Sequence, residues 1–446
     1  MKRLFGTDGI RARAGQFPLD EKTVRVIGAS LTRHFSDKLG RDPRFVVGRD
    51  TRESGAWIES ALCSGAVSGR ATYESAGVIT TPGVAYITNA LDFDAGIVIS
   101  ASHNPYQDNG IKIFSPSGKK VGEDVERAIE EDIRNEIPVN SNGLELHSTR
   151  SVEFRDSYLG HLTRHAEGVS LSGMKIVVDC ANGAASDLAP ELFSSLDASM
   201  VVINNTPDGR NINENCGSLH MENLQAKVLA ESADLGIAFD GDADRALFVD
   251  DKGKIVDGDA TIWVIAQYLT GQGKIANSTV VATVMSNLGL ELALKSKGIN
   301  LLRTDVGDKY VLERLIETGS EIGGEQSGHI IFPEISLVGD GMMTALLLLK
   351  ALTHRGASLT ETASDLMRYP QILVNVKVKE KLPFADVPQI DESAKQIENE
   401  LRGEGRLLLR YSGTENLARV MIEGKDQRQI EEQANRLASV IQASLG

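Results

Sequence analysis

Cysteine is scarce in this chain of 446 residues: Cys63, Cys180 and Cys216 are widely spaced and odd in number, a pattern that fits neither a disulfide framework nor a zinc site. A cytoplasmic location is the simpler expectation. Long apolar runs are missing as well. The strongest, Ala345 to Leu349, is far too short to span a bilayer, and the opening Met1-Lys2-Arg3-Leu4 is basic without the apolar stretch of a secretory signal. Membrane insertion and secretion are therefore not expected. Positive charge is in deficit, with 47 Lys and Arg against 62 Asp and Glu and a formal charge of −15, which argues against a nucleic-acid partner. A protein of this charge that binds anions has to gather its cations locally. Neither a G-x-G-x-x-G dinucleotide loop nor a Walker A loop occurs, so nicotinamide or flavin redox chemistry and nucleotide hydrolysis lose their usual sequence support.

The remainder, 41% hydrophobic and 24% charged with 43 glycines, belongs to an ordinary globular protein with many tight turns, and the length exceeds what a single core supports. Three apolar runs each end in a small or polar loop followed by a helical pattern: Phe45-Val46-Val47, Ile176-Val177-Val178 and Val280-Val281-Ala282. Continuous Val and Ile, without period-two alternation, predicts buried parallel or mixed strands with helices on both faces. The last segment differs, because Ile372, Val374, Val376 and Val378 alternate with Leu373, Asn375, Lys377 and Lys379, as in a half-covered antiparallel strand. A terminal helix follows, its apolar face made by Ile430, Ala434, Leu437, Ala438, Ile441 and Leu445, with Asp426 and Gln429 spaced as a capping box. Polar stretches near Thr149, Asp251 and Arg368 divide the chain into α/β domains over 1–150, 151–251 and 252–367 and a smaller α+β domain over 368–446.

Four segments could carry chemistry. The run Gly96 to Ile99 enters Ser100-Ala101-Ser102-His103-Asn104-Pro105, a loop that presents a hydroxyl at a strand end, and Asn109-Gly110 reads as a turn before a strand returning Lys112 toward it. Ser102 is then either a nucleophile or a turn serine bonded to its own backbone. Asp240-Gly241-Asp242-Ala243-Asp244-Arg245 sets three carboxylates at alternate positions, costly through repulsion unless a hard divalent cation joins them. A calcium-binding EF-hand is excluded, since its sixth and twelfth positions would be Arg245 and Asp251. Gly323-Gly324-Glu325-Gln326-Ser327-Gly328-His329 offers the donors and acceptors a sugar demands, or is a glycine-rich connection. Arg410-Tyr411-Ser412-Gly413-Thr414-Glu415-Asn416, with Arg419 beyond it, makes an anion cradle or a polar turn between antiparallel strands.

Taken together and in this order, the four segments resemble the α-D-phosphohexomutase superfamily over essentially the whole chain. Phe5-Gly6-Thr7-Asp8-Gly9-Ile10-Arg11, Gly48-Arg49-Asp50-Thr51-Arg52 and Gly324 to His329 look most like its phosphoglucosamine mutase branch. The resemblance implies four domains around a central cleft, three of them related mixed α/β domains of three layers. It implies that Ser102 is the phosphoserine and that Asp240, Asp242 and Asp244 hold one Mg²⁺ per chain together with a phosphoserine oxygen. Arg11, Lys112, His103 and Arg245 would line the reacting centre, with Lys112, helped by His103, as general base or as a purely electrostatic partner. Glu325, Ser327 and His329 would read the sugar, and Arg410, Ser412, Gly413, Thr414 and Arg419 the phosphate that is not reacting. The implied reaction interconverts glucosamine 6-phosphate and glucosamine 1-phosphate through glucosamine 1,6-bisphosphate and supplies UDP-N-acetylglucosamine synthesis. Rival readings are a phosphomannomutase or phosphoglucomutase and, from another class, a non-catalytic sugar-phosphate-binding protein. The expected partner is a small hexosamine phosphate, with a homodimer left open. One departure stands out: Asn416 occupies the place after Ser-Gly-Thr-Glu where the family usually has proline.

Overall fold

The run around Val46 becomes the strand Arg44–Arg49, whose Phe45, Val46 and Val47 are fully buried. It pairs in parallel with Thr72–Val78 on one side and Ala95–Ile99 on the other. In a computed structural model describing residues 3–139, 150–275, 277–401, 403–412 and 415–446, this trio belongs to a six-stranded sheet. The sheet is completed by the antiparallel strands Asp108–Phe114, Gly9–Arg13 and Phe5–Gly6. A buried parallel centre with helices such as Glu21–Leu39 and Gly55–Ser68 around it explains the unbroken apolar runs. Asp20 caps the first of these helices by accepting from Thr23 N–H, and Gly40 ends it in the left-handed region. The domain boundary expected near Thr149 lies outside the described residues.

The second sheet repeats the plan. Lys175–Asp179 is flanked in parallel by Ser199–Ile203 and Leu235–Phe239, and Leu235–Phe239 turns back antiparallel into Ala246–Asp250. In the third, Thr279–Thr283 lies parallel to Gly323–Gly324, which pairs antiparallel with Ile330–Ile331. The Ala345 to Leu349 run lies in the helix Gly341–Arg355, where it packs as core, and no helix among the described residues is long and apolar enough to cross a membrane.

The fourth domain has an antiparallel sheet ordered Gln371–Lys377, Leu417–Glu423, Arg406–Tyr411. Its core joins Val376, Val420 and Ile422 to Ile390 and Ile397 of the helix Pro388–Leu401 and to Ile430, Leu437 and Ile441 of the helix Gln427–Leu445. Asp426 caps the last helix by accepting from Gln429 N–H. Three mixed α/β sheets and a smaller α+β domain match the expected fold class. By packing, residues 1–283 with 304–363 form one compact unit, and 284–303 with 364–446 form another. The second unit contains Ser286 and Asn287 from the third α/β segment. Asn287 exchanges hydrogen bonds with the Tyr369 backbone, and Ser286 O accepts from Arg406.

Candidate active site

Ser102 sits just past the strand Ala95–Ile99 and is almost wholly buried. The returning strand Asp108–Phe114 places Lys112 opposite Val98, so the hairpin expected from sequence forms. Its turn is not at Asn109-Gly110, however. Those two residues already belong to the strand, and the connection lies between Ile99 and Asp108. The reason is packing: a Cβ on Gly110 would come within 2.5 Å of Ser100 O and 2.8 Å of Ile10 O, while Asn109 Nδ2 donates to Ser54 Oγ. Glycine serves close approach here, not a turn.

The aspartate loop joins Leu235–Phe239 to Ala246–Asp250, and Asp240, Asp242 and Asp244 are all buried. Carboxylate oxygens of all three lie within 4.8 Å of one another. Ser102 Oγ donates to Asp240 Oδ2 at 2.6 Å and lies 3.2 Å from His103 Nδ1. The approach is possible because residue 241 is glycine: a Cβ there would meet Ser102 O at 2.6 Å. Lys112 Nζ reaches Asp242 Oδ2 at 2.9 Å, Asp244 Oδ2 at 3.1 Å and Asp8 Oδ2 at 3.2 Å. Thr81 Oγ donates to Asp242 Oδ2 at 2.6 Å.

Burial, then the charges of Asp244 and Asp242, push the Asp240 carboxyl well above the usual carboxylate range. Burial alone would lower Lys112, but Asp242, Asp244 and Asp8 outweigh it and hold its ammonium well above the ordinary lysine range. Burial, reinforced by Arg245 and Arg11, lowers His103 to about 4. At neutral pH Lys112 is thus a cation and His103 a neutral ring. The triad suits a hard divalent cation such as Mg²⁺: its donors are all oxygen, and the buried Oδ1 atoms of Asp242 and Asp244 have no hydrogen-bond partner.

Arg11 pairs with Asp8, and Arg245 Nε lies 3.8 Å from Asp244 Oδ1. The glycine-rich loop packs on the same strand pair, with Ala246 N–H donating to Gly328 O. Glu325 Oε1 accepts from Gly307 N–H at 3.1 Å, and Ser327 Oγ is 3.5 Å from Glu325 Oε2. His329 is buried: Gly339 N–H donates to its Nε2, leaving Nδ1 as the protonated nitrogen, 3.6 Å from Asp244. Its ring thus lies beside the aspartate loop. Sequence reasoning missed Lys120 and Asp308, which join residues it named: Lys120 reaches Asp8 and Asp308 at 2.5 Å each, and Asp8 in turn lies 3.2 Å from Lys112 Nζ. Nothing local marks Lys120; its partners are 112 and 188 residues away.

In the other compact unit, Arg410 and Arg419 stand directly opposite each other on the antiparallel strands Arg406–Tyr411 and Leu417–Glu423. Ser412 is buried at the turn, its N–H donating to Leu417 O and its carbonyl accepting from Lys381 Nζ at 2.6 Å, a cation the sequence reading passed over. Arg419 Nε is buried without a hydrogen-bond partner. Gly413 and Thr414 lie outside the described residues.

Sequence models of the phosphoglucomutase/phosphomannomutase family match throughout: α/β/α domain I over residues 2–139, domain II over 156–253, domain III over 257–369 and the C-terminal domain over 373–440. The phosphoglucosamine mutase of Solibacter usitatus is 48% identical over 100% of this chain and 99% of its own length. That of Caldicellulosiruptor saccharolyticus is 47% identical over the whole of both chains. Among solved structures, a phosphoglucomutase/phosphomannomutase family protein of Burkholderia thailandensis superimposes with a TM-score of 0.81 at 24% identity, covering 100% of this chain and 98% of that one. The N-acetylphosphoglucosamine mutase of Aspergillus fumigatus, solved with GlcNAc-6P and magnesium, gives 0.70 at 19% identity over 99% and 96%. The chain belongs to the phosphoglucomutase/phosphomannomutase family, on its phosphoglucosamine mutase branch.

Proposed function

We propose that this chain is a cytoplasmic, magnesium-dependent isomerase that interconverts glucosamine 6-phosphate and glucosamine 1-phosphate, feeding UDP-N-acetylglucosamine synthesis. The observation that carries the reading is the 2.6 Å contact between Ser102 Oγ and Asp240 of the aspartate cluster. A hydroxyl in that place can carry a phosphoryl group. Asp240, Asp242 and Asp244 would hold Mg²⁺, which when bound would neutralise charge on that group.

In the first half-reaction the bond from Ser102 Oγ to phosphorus breaks as the free sugar hydroxyl forms its own bond to phosphorus. Ser102 Oγ keeps the electron pair, and the hydroxyl proton passes to a base and on to Oγ. The 1,6-bisphosphate turns end for end, and Ser102 takes the other phosphoryl group with the proton moving in reverse. Lys112, held as an ammonium by its carboxylates, stabilises charge on the transferring group, as do Arg245 and Arg11. His103, neutral and 3.2 Å from Ser102 Oγ, is placed to exchange the Oγ proton as Ser102 receives or gives up the phosphoryl group. Glu325 and Ser327 recognise sugar hydroxyl and amino groups; Arg410, Ser412 and Arg419, with Gly413 and Thr414, bind the phosphate that stays.

The test combines mass spectrometry for phosphate on Ser102 with coupled assays on glucosamine, glucose and mannose 1-phosphates side by side. The expected result is phosphate on Ser102 and the highest kcat/KM on glucosamine 1-phosphate. A higher value on mannose or glucose phosphate would move the chain to another branch of the family.

A further inference from the structure

The segment Gly48 to Arg52 enters none of these steps, yet Arg52 is among the largest fully buried side chains. A buried guanidinium is costly unless every face of it is engaged. Here Nη1 pairs with Asp50 Oδ2 and Nη2 donates to two backbone carbonyls, Ser102 O at 3.2 Å and Asn104 O at 2.5 Å, while Nε is buried without a hydrogen-bond partner. Asp50 continues the path: its Oδ2 accepts from Ser100 Oγ at 2.6 Å, and Ser100 Oγ accepts from Ser102 N–H at 2.9 Å. From the second domain, Asn213 Nδ2 donates to the same two carbonyls, at 2.9 Å and 3.1 Å. Both backbone polar groups of Ser102 are thus held.

Ser102 itself has φ +53°, the left-handed region that residues other than glycine rarely occupy. Such a conformation is strained and persists only where its surroundings over-determine it. The backbone angle sets where Cβ points, and therefore where Oγ lies relative to Asp240. In-line transfer is steeply sensitive to that placement, with a misplacement of about 1 Å worth roughly a hundredfold in rate.

We infer that Arg52 and Asn213 are positioning residues, a two-sided clamp on the Ser102 and Asn104 carbonyls that holds Ser102 left-handed and aims its Oγ at the aspartate cluster. Neither residue has to touch the sugar or the phosphoryl group. The inference rests on Ser102 being the phosphoryl carrier, as proposed above.

The test uses the full chain with Arg52→Lys, Asn213→Gly and the double substitution. Lysine keeps the charge at 52 but cannot serve Asp50 and both carbonyls at once. Glycine at 213 removes the amide while tolerating the φ of +59° found there. Turnover is normalised to the fraction of folded chains carrying phosphate on Ser102, and Tm is recorded in parallel. Each single variant is expected to lose about 10–100-fold in kcat with KM for glucosamine phosphate within about twofold. The double variant should lose less than the product of the two, because both residues hold the same carbonyls. If Arg52→Lys does not fold, Asn213→Gly decides the matter alone. Normalised kcat equal to wild type, or a raised KM at unchanged kcat, would overturn the clamp while wild-type phosphoserine leaves the mutase reading standing. Wild-type protein that turns over with no phosphate on Ser102 at any stage would overturn both.

Discussion

The Ser102 and aspartate loops and the Arg410–Arg419 turn are both charged sites, but they are built in opposite ways. Around Ser102 the charges are buried and cross-compensated: Lys112 meets three carboxylates, and Arg52, Asp50 and Ser100 lock the loop backbone. At the fourth domain's turn two guanidinium-bearing residues face each other across a strand pair half open to solvent. Like charges in that register repel; Glu415, 3.8 Å from Arg419, offsets part of this, and a bound anion would offset more. On the proposed function the first region would break and form bonds, which asks for groups that do not move as charge develops, and the second would hold a phosphate that must later be released, which asks for positive charge and access.

The hardest blow to the first region is Ser102→Ala, which should cut turnover by at least about 10⁴-fold, the scale on which loss of a catalytic nucleophile is felt. Circular dichroism and a Tm within a few degrees of wild type would show that only chemistry was lost; appreciable activity would remove the covalent step. Next comes Asp242→Asn, expected to lower kcat by about 10²–10³-fold. Its separate readout is thermal: Mg²⁺ should raise the wild-type Tm by linkage and leave the variant's nearly unmoved. An equal Mg²⁺ shift in both proteins would place the ion elsewhere, as would wild-type activity that survives EDTA.

The second region should fail differently. Arg419→Ala removes one of two opposed guanidinium groups, so KM for the sugar phosphate should rise about 10–100-fold while kcat stays within about threefold, the signature of lost anchoring. If kcat fell as far as in Asp242→Asn, the division between transfer and anchoring would not hold.

Much of this was legible in the sequence where the signal is local. The buried Val and Ile runs become Arg44–Arg49, Lys175–Asp179 and Thr279–Thr283, and the three aspartates lie so close in the chain that any loop brings them together. What stayed hidden is non-local or carried by backbone. Lys120 and Asn213 act on groups over a hundred residues away, and carbonyl acceptors such as Ser102 O leave no mark in a sequence. Asn109-Gly110 misled for the same reason: glycine's usual turn meaning gave way to a close approach by the Ser100 and Ile10 carbonyls.

The smallest expected effect tests whether the first unit bears a stability cost for its buried charge. Asp340, wholly buried, caps the helix Gly341–Arg355 through Met343 N–H and accepts from Tyr158 Oη at 2.8 Å. Burial raises its carboxyl to about 6 despite those bonds. Because the folded value exceeds the unfolded one of about 3.9, the folded state binds more protons between the two. Stability from this group is therefore full below about pH 4 and is lost as pH rises through about 6. Asp340→Asn keeps an acceptor for the cap, and its amide can donate to Tyr158 Oη, whose own O–H then has to turn to Thr80. The variant should be more stable than wild type at pH 7–8 by on the order of 1 kcal/mol, with the advantage vanishing near pH 4, read from urea midpoints across that range. An advantage independent of pH, or a loss at pH 7–8, would mean that Asp340 is held ionised without penalty and that the dense region bears its charges more easily than its burial implies.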